Sequence, residues 1–449
     1  MERESVQNGK IRKRGGLGGV TASYFEWVQD TQKCFRDIGE ENRHLARCGG
    51  DALPRAAPSG RSGTTKFGEC RMGKHMVFTG GGHVHLTALL RLRDYIRAGH
   101  RVTLIGPSPY HYYSGMGPGL LSGIYRPAEA RFHVKKMAED RGAAFLEDRV
   151  VRVEPERRTL ILGSGKELRY DVVSFNTGSE VPADIVDVAA DGVFPVKPIE
   201  NLLAARRQVL DASGKTGFRA IVVGGGAAGV EIAAALGRLG RESGRIASIT
   251  LVSGSKVLED YPAKARAMAL GSLDRWGIER IEEVGARSIG EGVVRLENGV
   301  DLQGDMVFVA VGVKPSSLFA ESDLPTGKDG GLLVNNSLQC VRYPDLFGGG
   351  DCITIDGTPL ERVGVYAVRQ NRLLHRNLLA YLEGRPLRRF DPGGGFLTIL
   401  NMGDGSGIFR RKGFVWDGPF AFRLKDAIDR RFMRKFQVSG ERRESPGGG

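Results

Sequence analysis

At 449 residues the chain is long enough for two or three domains with buried cores. Its 65 glycines, well above the usual ~7%, point to low-complexity tails or to many tight βα turns, and a formal charge of +13 admits nucleic acid, anionic lipid or anionic cofactors as partners. The residues narrow this: no aromatic-interleaved basic repeat and no zinc spacing appears, so neither a nucleic-acid partner nor a metal site is expected.

The five cysteines, Cys34, Cys48, Cys70, Cys340 and Cys352, form no CxxC pair. That pattern argues for a reducing, cytoplasmic compartment and against a dithiol redox centre. The N-terminus has no apolar signal-type run, and no stretch approaches the ~18 apolar residues of a spanning helix. A membrane, if one matters, is met from its surface.

Residues 1–71 are rich in Gly, Arg and Ser, as in KRGGLGGV, and read as a disordered or mis-started extension, with Met72 or Met76 as alternative starts. From Lys74 onward, Val/Ile/Phe-rich strands alternate with helical patterns, which reads as βαβ units around a parallel sheet. The first unit is HMVFTGGGHVHLTALLRL followed by RVTLI, and the second is RAIVVGGGAAGVEIAAALGRL followed by ASITLVS. Two dinucleotide-type starts in one chain are the main functional clue.

In the second unit Gly224, Gly226 and Gly229 fill GxGxxG between a strand and an Ala-rich helix. Glycines there allow a tight turn and close backbone approach, so that the helix N-terminus presents free N–H groups to a pyrophosphate. In the first unit Gly80 and Gly82 begin the same pattern, but His85 stands at the third glycine, where a side chain is expected to hold helix and strand apart. Both units lack the acid that usually closes the second strand, with Gly106 and Ser253 in its place. Ser253, Ser255 and Lys256 leave room for a 2′-phosphate, so NADPH is as credible as NADH. His83 and His85 lie two apart and share no helical face, which argues against a metal pair.

Further on, SFNTGSEVP and MVFVAVGVKPSS each pair a strand with a Gly/Pro turn where the chain crosses between domains. YPDLFGGGDCITI brings Asp351 to the end of a strand, placed for a ribitol hydroxyl, and GVYAVRQ opens a long helix whose dipole can face a reduced flavin. At the end, Leu424, Ile428, Phe432 and Phe436 recur every four residues in FRLKDAIDRRFMRKFQ, with Arg423, Arg430, Arg431 and Arg434 opposite. From Arg385 on there are 14 Lys or Arg against 7 Asp or Glu. Two uses fit this basic amphipathic helix: an anionic membrane surface or a homodimer contact.

GGGHVH, YHYYSGMGPGLLSG, VKPIENL, GGGAAGVEIA, GGGDC, GVYAVRQ and LKDAIDRRFMRKFQ together resemble the two-dinucleotide-domain flavoproteins of the pyridine nucleotide-disulfide oxidoreductase superfamily. Within them the chain is similar to type II NADH dehydrogenases, and also to the flavoprotein domain fused to selenide, water dikinase. The resemblance implies two Rossmann-like domains, FAD-binding over 72–195 and 305–390 and NAD(P)-binding over an inserted 196–304, with 391–449 as a membrane-surface or dimerisation region. It assigns Gly80, Gly82, His83, Asp351 and Ala367 to FAD; Gly224, Gly226, Gly229 and Ser253 to the pyridine nucleotide; and Glu231, Tyr366 and Gln370 to the reaction. The implied activity is hydride transfer from NADH or NADPH to FAD and onward to a quinone in a ping-pong cycle. Sulfide:quinone and disulfide chemistry lack their cysteines between Arg71 and Gln339. Two rivals stand beside this reading: a soluble NAD(P)H-dependent reductase of another small acceptor, and a redox-sensing FAD-binding interaction protein.

Overall fold

The computed structural model describes residues 73–182, 186–187, 190–212 and 216–443; the expectation for residues 1–71 lies outside them. The chain enters on β1 (His75–Thr79), whose Met76, Val77 and Phe78 are fully buried. A strand buried on both faces is what an interior position in a parallel sheet requires. Two short helices, α1 (Leu86–Leu90) and α2 (Leu92–Arg97), carry it to β2 (Arg101–Gly106), then β3 (Ala144–Glu147) and β4 (Val172–Phe175).

It next builds a second sheet from β5 (Val193–Pro195), β6 (Phe218–Val223), β7 (Ile246–Val252), β8 (Glu279–Ile281) and β9 (Met306–Val309), with α3 (Ala227–Ser243) following β6. The chain returns to the first sheet on β10 (Leu346–Gly348) and leaves it through α4 (Gly364–Leu382). The strand orders are β10-β4-β1-β2-β3 and β5-β9-β6-β7-β8, parallel throughout. Each glycine loop therefore leaves the central strand of its own five-stranded sheet, where open α/β sheets bind ligands. Two buried clusters correspond to the two sheets.

The strand pairing moves the expected domain boundaries. Val193–Pro195 pairs with Met306–Val309 inside the second sheet, so the inserted domain takes a few residues on each side that 72–195 and 305–390 assigned to the first. The cause is that Val193–Pro195 already pairs in the sheet it enters, while Met306–Val309 still pairs in the sheet it leaves.

After α4 come β11 (Thr398–Asn401), β12 (Gly407–Arg411) and β13 (Phe414–Gly418), an antiparallel sheet, and then α5 (Pro419–Phe436). Leu400, Ile408 and Val415 join the second core, while Met433 and Phe436 join the first. The terminal helix thus differs from the exposed stripe expected to meet a membrane surface or a second subunit. Phe436 is fully buried and Phe432 rings against Tyr113 and Phe132, so the last turns of the stripe are covered by the first domain.

His85 does not simply push helix and strand apart. It is fully buried, with Nδ1–H donating to the Gly80 carbonyl at 2.6 Å and Nε2 accepting from the Ser174 hydroxyl at 2.8 Å. Burial lowers its pKa to about 4, so the ring is neutral and its tautomer is set by these two partners. Restoring the third glycine by His85→Gly would strand both partners, at a cost of about 1–3 kcal/mol for each buried polar group left unpaired. The expected result is a lower urea midpoint than the parent; an equal or higher midpoint would refute the bridging role.

Candidate active site

The first loop turns at Gly80, whose φ of +87° favours glycine, and a Cβ there would overlap the Asn176 carbonyl. Asn176, at the end of β4, clamps this loop to the one after β10: its Oδ1 accepts from the Val84 N–H and its Nδ2 donates to the Gly349 carbonyl. Gln370 of α4 holds the same turn by accepting the Gly350 N–H at 2.7 Å. Ala367, one turn earlier, is buried beside Gly350. Gly80, Gly82, Ala367, Gln370 and Asp351 are therefore brought together where β1 and β10 end.

Asp351 is the charged centre of that cradle. Lys197 donates to its Oδ2 at 2.7 Å, and Ser179 donates to the same oxygen at 2.9 Å. Burial alone would raise its pKa, but the Lys197 ammonium and these hydrogen bonds hold it below the usual carboxylate range. One carboxylate oxygen keeps free acceptor capacity for a hydroxyl. Beside it, His83 and His111 meet edge to face, and the Nε2 of each is buried without a partner. Burial lowers their pKa values to about 4 and about 3. A constricted glycine turn, an ionised acceptor and two neutral rings with unused polar capacity fit a polar nucleotide such as FAD.

In the second loop Gly224 has φ +123°, and a Cβ on Gly229 would overlap the Gly224 carbonyl oxygen. Only glycine lets α3 start this close to the turn. Gly226 caps α3, and the space its Cβ would occupy is open, as backbone approach by a pyrophosphate needs. Ser253 is buried beneath this loop against Gly225, whereas Ser255 and Lys256 are exposed beyond the end of β7. The nearby Glu282 carboxylate is engaged by Arg266 and the Val257 N–H.

Glu231 of α3 faces the terminal segment, accepting the Asn401 N–H at 2.7 Å. Burial raises its pKa while Lys425 pulls the other way. Lys425 of α5 donates to Asp429 at 2.7 Å and to the Gly115 carbonyl at 2.6 Å, and the Tyr113 hydroxyl donates to Asp429 at 3.2 Å. Burial disfavours the ammonium, but the Asp429 and Glu231 carboxylates keep its pKa above the ordinary lysine value. Tyr366 meets Phe396 edge to face, and the Arg369 guanidinium lies over its ring. Cys340 and Cys352 are free and buried, and burial raises the Cys352 thiol pKa, which makes it a packed side chain.

Asn176, Ser179 and Lys425 were not singled out as site residues from the sequence. Asn176 had a signal, an amide between the end of a hydrophobic strand and a Gly-containing turn in SFNTG, and Lys425 had one in its i,i+4 spacing from Asp429; Ser179 had none, because its partner Asp351 is distant in sequence.

The family model for pyridine nucleotide-disulphide oxidoreductases matches residues 74–371. Ferroptosis suppressor protein 1 of Taeniopygia guttata is 28% identical over 287 residues, covering 61% of this chain and 73% of that protein. The alternative NAD(P)H-ubiquinone oxidoreductase C1 of Arabidopsis thaliana is 24% identical over 354 residues, covering 69% and 68%. Among solved structures, NDH2 of Plasmodium falciparum in complex with NADH superposes with a TM-score of 0.68 at 14% identity, covering 82% of this chain and 98% of that one.

Three outcomes are expected here. Asp351→Ala should weaken FAD retention by about 1.5–3 kcal/mol, on the order of ten- to a hundredfold, read by flavin fluorescence on dilution, while Gly229→Ala should keep its FAD and lose reduction by either pyridine nucleotide. Because His83, His85 and His111 titrate lower folded than the ~6.5 of an unfolded chain, the unfolded state takes up more protons below that value. Stability should hold above about pH 6.5 and fall as pH drops toward about 4; urea midpoints that rise on acidification would contradict it.

Proposed function

Because the chain belongs to the pyridine nucleotide-disulphide oxidoreductase family, we propose that it is an FAD-dependent dehydrogenase passing electrons from NADH or NADPH through flavin to a quinone. The observation that carries this is the pair of cradles: two glycine loops, each at the centre of its own parallel sheet, in one chain. The named activity of the Arabidopsis relative supports quinone as acceptor.

FAD, when bound, supplies the hydride and electron chemistry. The chain's residues position and polarise. Lys197 and Ser179 hold Asp351 ionised as an acceptor for a ribitol hydroxyl, and Asn176 and Gln370 fix the turn that carries it. The N-terminus of α4 would offer a positive dipole end to negative charge on a reduced flavin. The Gly224–Gly229 loop would hold the pyrophosphate of the second nucleotide, and Glu231, held by Asn401 and the Lys425 charge, would serve its nicotinamide end. The open end of β7, with exposed Ser255 and Lys256, suits NADPH as well as NADH.

A quinone is lipid-soluble, so the same reading makes the protein peripheral on the cytoplasmic face of a membrane. Among the described residues no helix is long and apolar enough to cross one. A homodimer through the terminal region is the alternative use of that surface.

The deciding experiment is steady-state oxidation of NADH and NADPH by the FAD-loaded protein, with and without a short-chain quinone, alongside stopped-flow bleaching of the flavin. Quinone-dependent turnover with ping-pong kinetics is expected. Bleaching without quinone turnover would transfer the proposal to another small acceptor, and no bleaching by either nucleotide would defeat it.

A further inference from the structure

One cation of the C-terminal sheet faces inward. Ile408 of β12 points into the second core, and the two-residue period of a strand puts Arg410 on the same face. Its cross-strand partners are Thr398 and the buried Val415. The guanidinium is half-buried and lies over the ring of Tyr261, 4.6 Å from its centroid. Among the described residues no carboxylate pairs with it: Glu259 and Asp260, just before Tyr261, are exposed and do not reach it, and neither does exposed Asp417, diagonal to it on β13. An inward arginine is ordinarily paired. This one has an aromatic platform and no counter-ion.

The packing places it at the mouth of the second glycine loop. A Cβ on Gly403 would meet the Ala234 carbonyl, and the Asn401 N–H donates to Glu231, so β11 runs back along α3 toward its first turn. Thr398 lies three residues, roughly 10 Å of strand, before Asn401, and Gly226 lies five residues, about 7.5 Å of helix, before Glu231. Arg410, paired with Thr398, is therefore carried to the level where α3 begins. Tyr261 reaches the same place by another route: its N–H donates to the Leu258 carbonyl, and the Leu258 N–H donates to the Gly225 carbonyl. Burial raises the Tyr261 pKa, the Glu231 carboxylate adds to the rise, and Arg410 opposes it. Platform, cation and candidate active site are thus in electrostatic contact.

An arginine fork matches phosphate oxygens, and the free N–H groups at the start of α3 already favour negative charge. We propose that Arg410, held on the Tyr261 ring, binds the pyrophosphate of the pyridine nucleotide together with the Gly224–Gly229 loop, so that the C-terminal sheet completes the second nucleotide site. This deepens the proposed function and rests on its assignment of NADH or NADPH to that loop. The 2′-phosphate of NADPH would meet Ser255 and Lys256 at the end of β7 instead.

The test is calorimetric titration of the full, FAD-loaded chain with NAD⁺, NADP⁺ and ADP-ribose, which shares the pyrophosphate with both. Arg410→Gln should weaken all three about tenfold or more. Arg410→Met, which keeps an unbranched apolar stem for Tyr261 and Val415, should do the same. Lys412→Gln removes an equal charge from the exposed tip of the β12–β13 hairpin and should leave binding unchanged. All three variants should keep the parental FAD content and urea midpoint. Parental affinity in either Arg410 variant would overturn the proposal, as would an equal loss in Lys412→Gln. So would a loss confined to NADP⁺, which would move Arg410 to the 2′-phosphate. A parent that binds none of the three ligands would defeat the pyridine-nucleotide reading and this proposal with it, whereas a parent that binds them and is matched by both Arg410 variants defeats this proposal alone.

Discussion

A buried ammonium has to be paired, and Lys425 is paired by three separate parts of the chain. Asp429 lies one turn on in the same helix, the Gly115 carbonyl belongs to the first domain, and the Glu231 carboxylate contributes its field from the second. Removing one partner of a buried ion pair typically costs about 3–5 kcal/mol, because the remaining charge is left uncompensated. The terminal helix is therefore held where all three can reach it. Its position makes it a wall of the junction between the nucleotide domains rather than an appendage. Tyr113 extends the same network by donating to Asp429, and its ring packs on Phe432, so charge pairing and aromatic packing confine the helix together.

The two nucleotide loops meet one steric problem in two ways. In each, a helix must begin directly beneath a strand end. The second loop uses Gly229, which leaves no side chain between α3 and the Gly224 carbonyl. The first uses His85, which fills the gap and turns it into two hydrogen bonds, one to the loop and one to β4. The glycine solution places the helix close to the turn, where its free N–H groups serve a pyrophosphate best. The histidine solution ties the loop to the neighbouring strand that also bears Asn176, and Asn176 in turn reaches the loop carrying Asp351. The first cradle thus gains rigidity from side chains where the second gains it from close backbone packing.

Much of this was legible in the sequence because it is local. The βαβ alternation, both glycine loops and the strand-end placement of Asp351 depend on residues within a few positions of one another, and they appear where pattern placed them. What was not legible depends on sequence-distant partners. Lys197 carries no local mark of its partner, because Asp351, which accepts from it, lies far along the chain. Ser253 occupies the position of a ribose-binding acid, yet the bend of the loop buries it under Gly225. Domain boundaries slipped because a crossing segment such as Val193–Pro195 has no local mark of which sheet it will join.

The terminal helix shows why an apolar period can locate a helix and still misplace its buried face. Leu424, Ile428, Phe432 and Phe436 define the hydrophobic stripe, but Lys425, Asp429 and Met433 lie one residue further round at the same spacing. Asp429 and Met433 are fully enclosed, while Leu424 and Ile428 are only half-buried. The centre of the inward face is thus an ion pair followed by a methionine, and the apolar stripe marks its edge. Any scale that scores charge as outward will rotate such a helix toward the wrong neighbour. Here the rotation matters: it would place Phe432 and Phe436 on lipid and Lys425 in water, whereas the packing covers both rings and lodges the lysine between the domains.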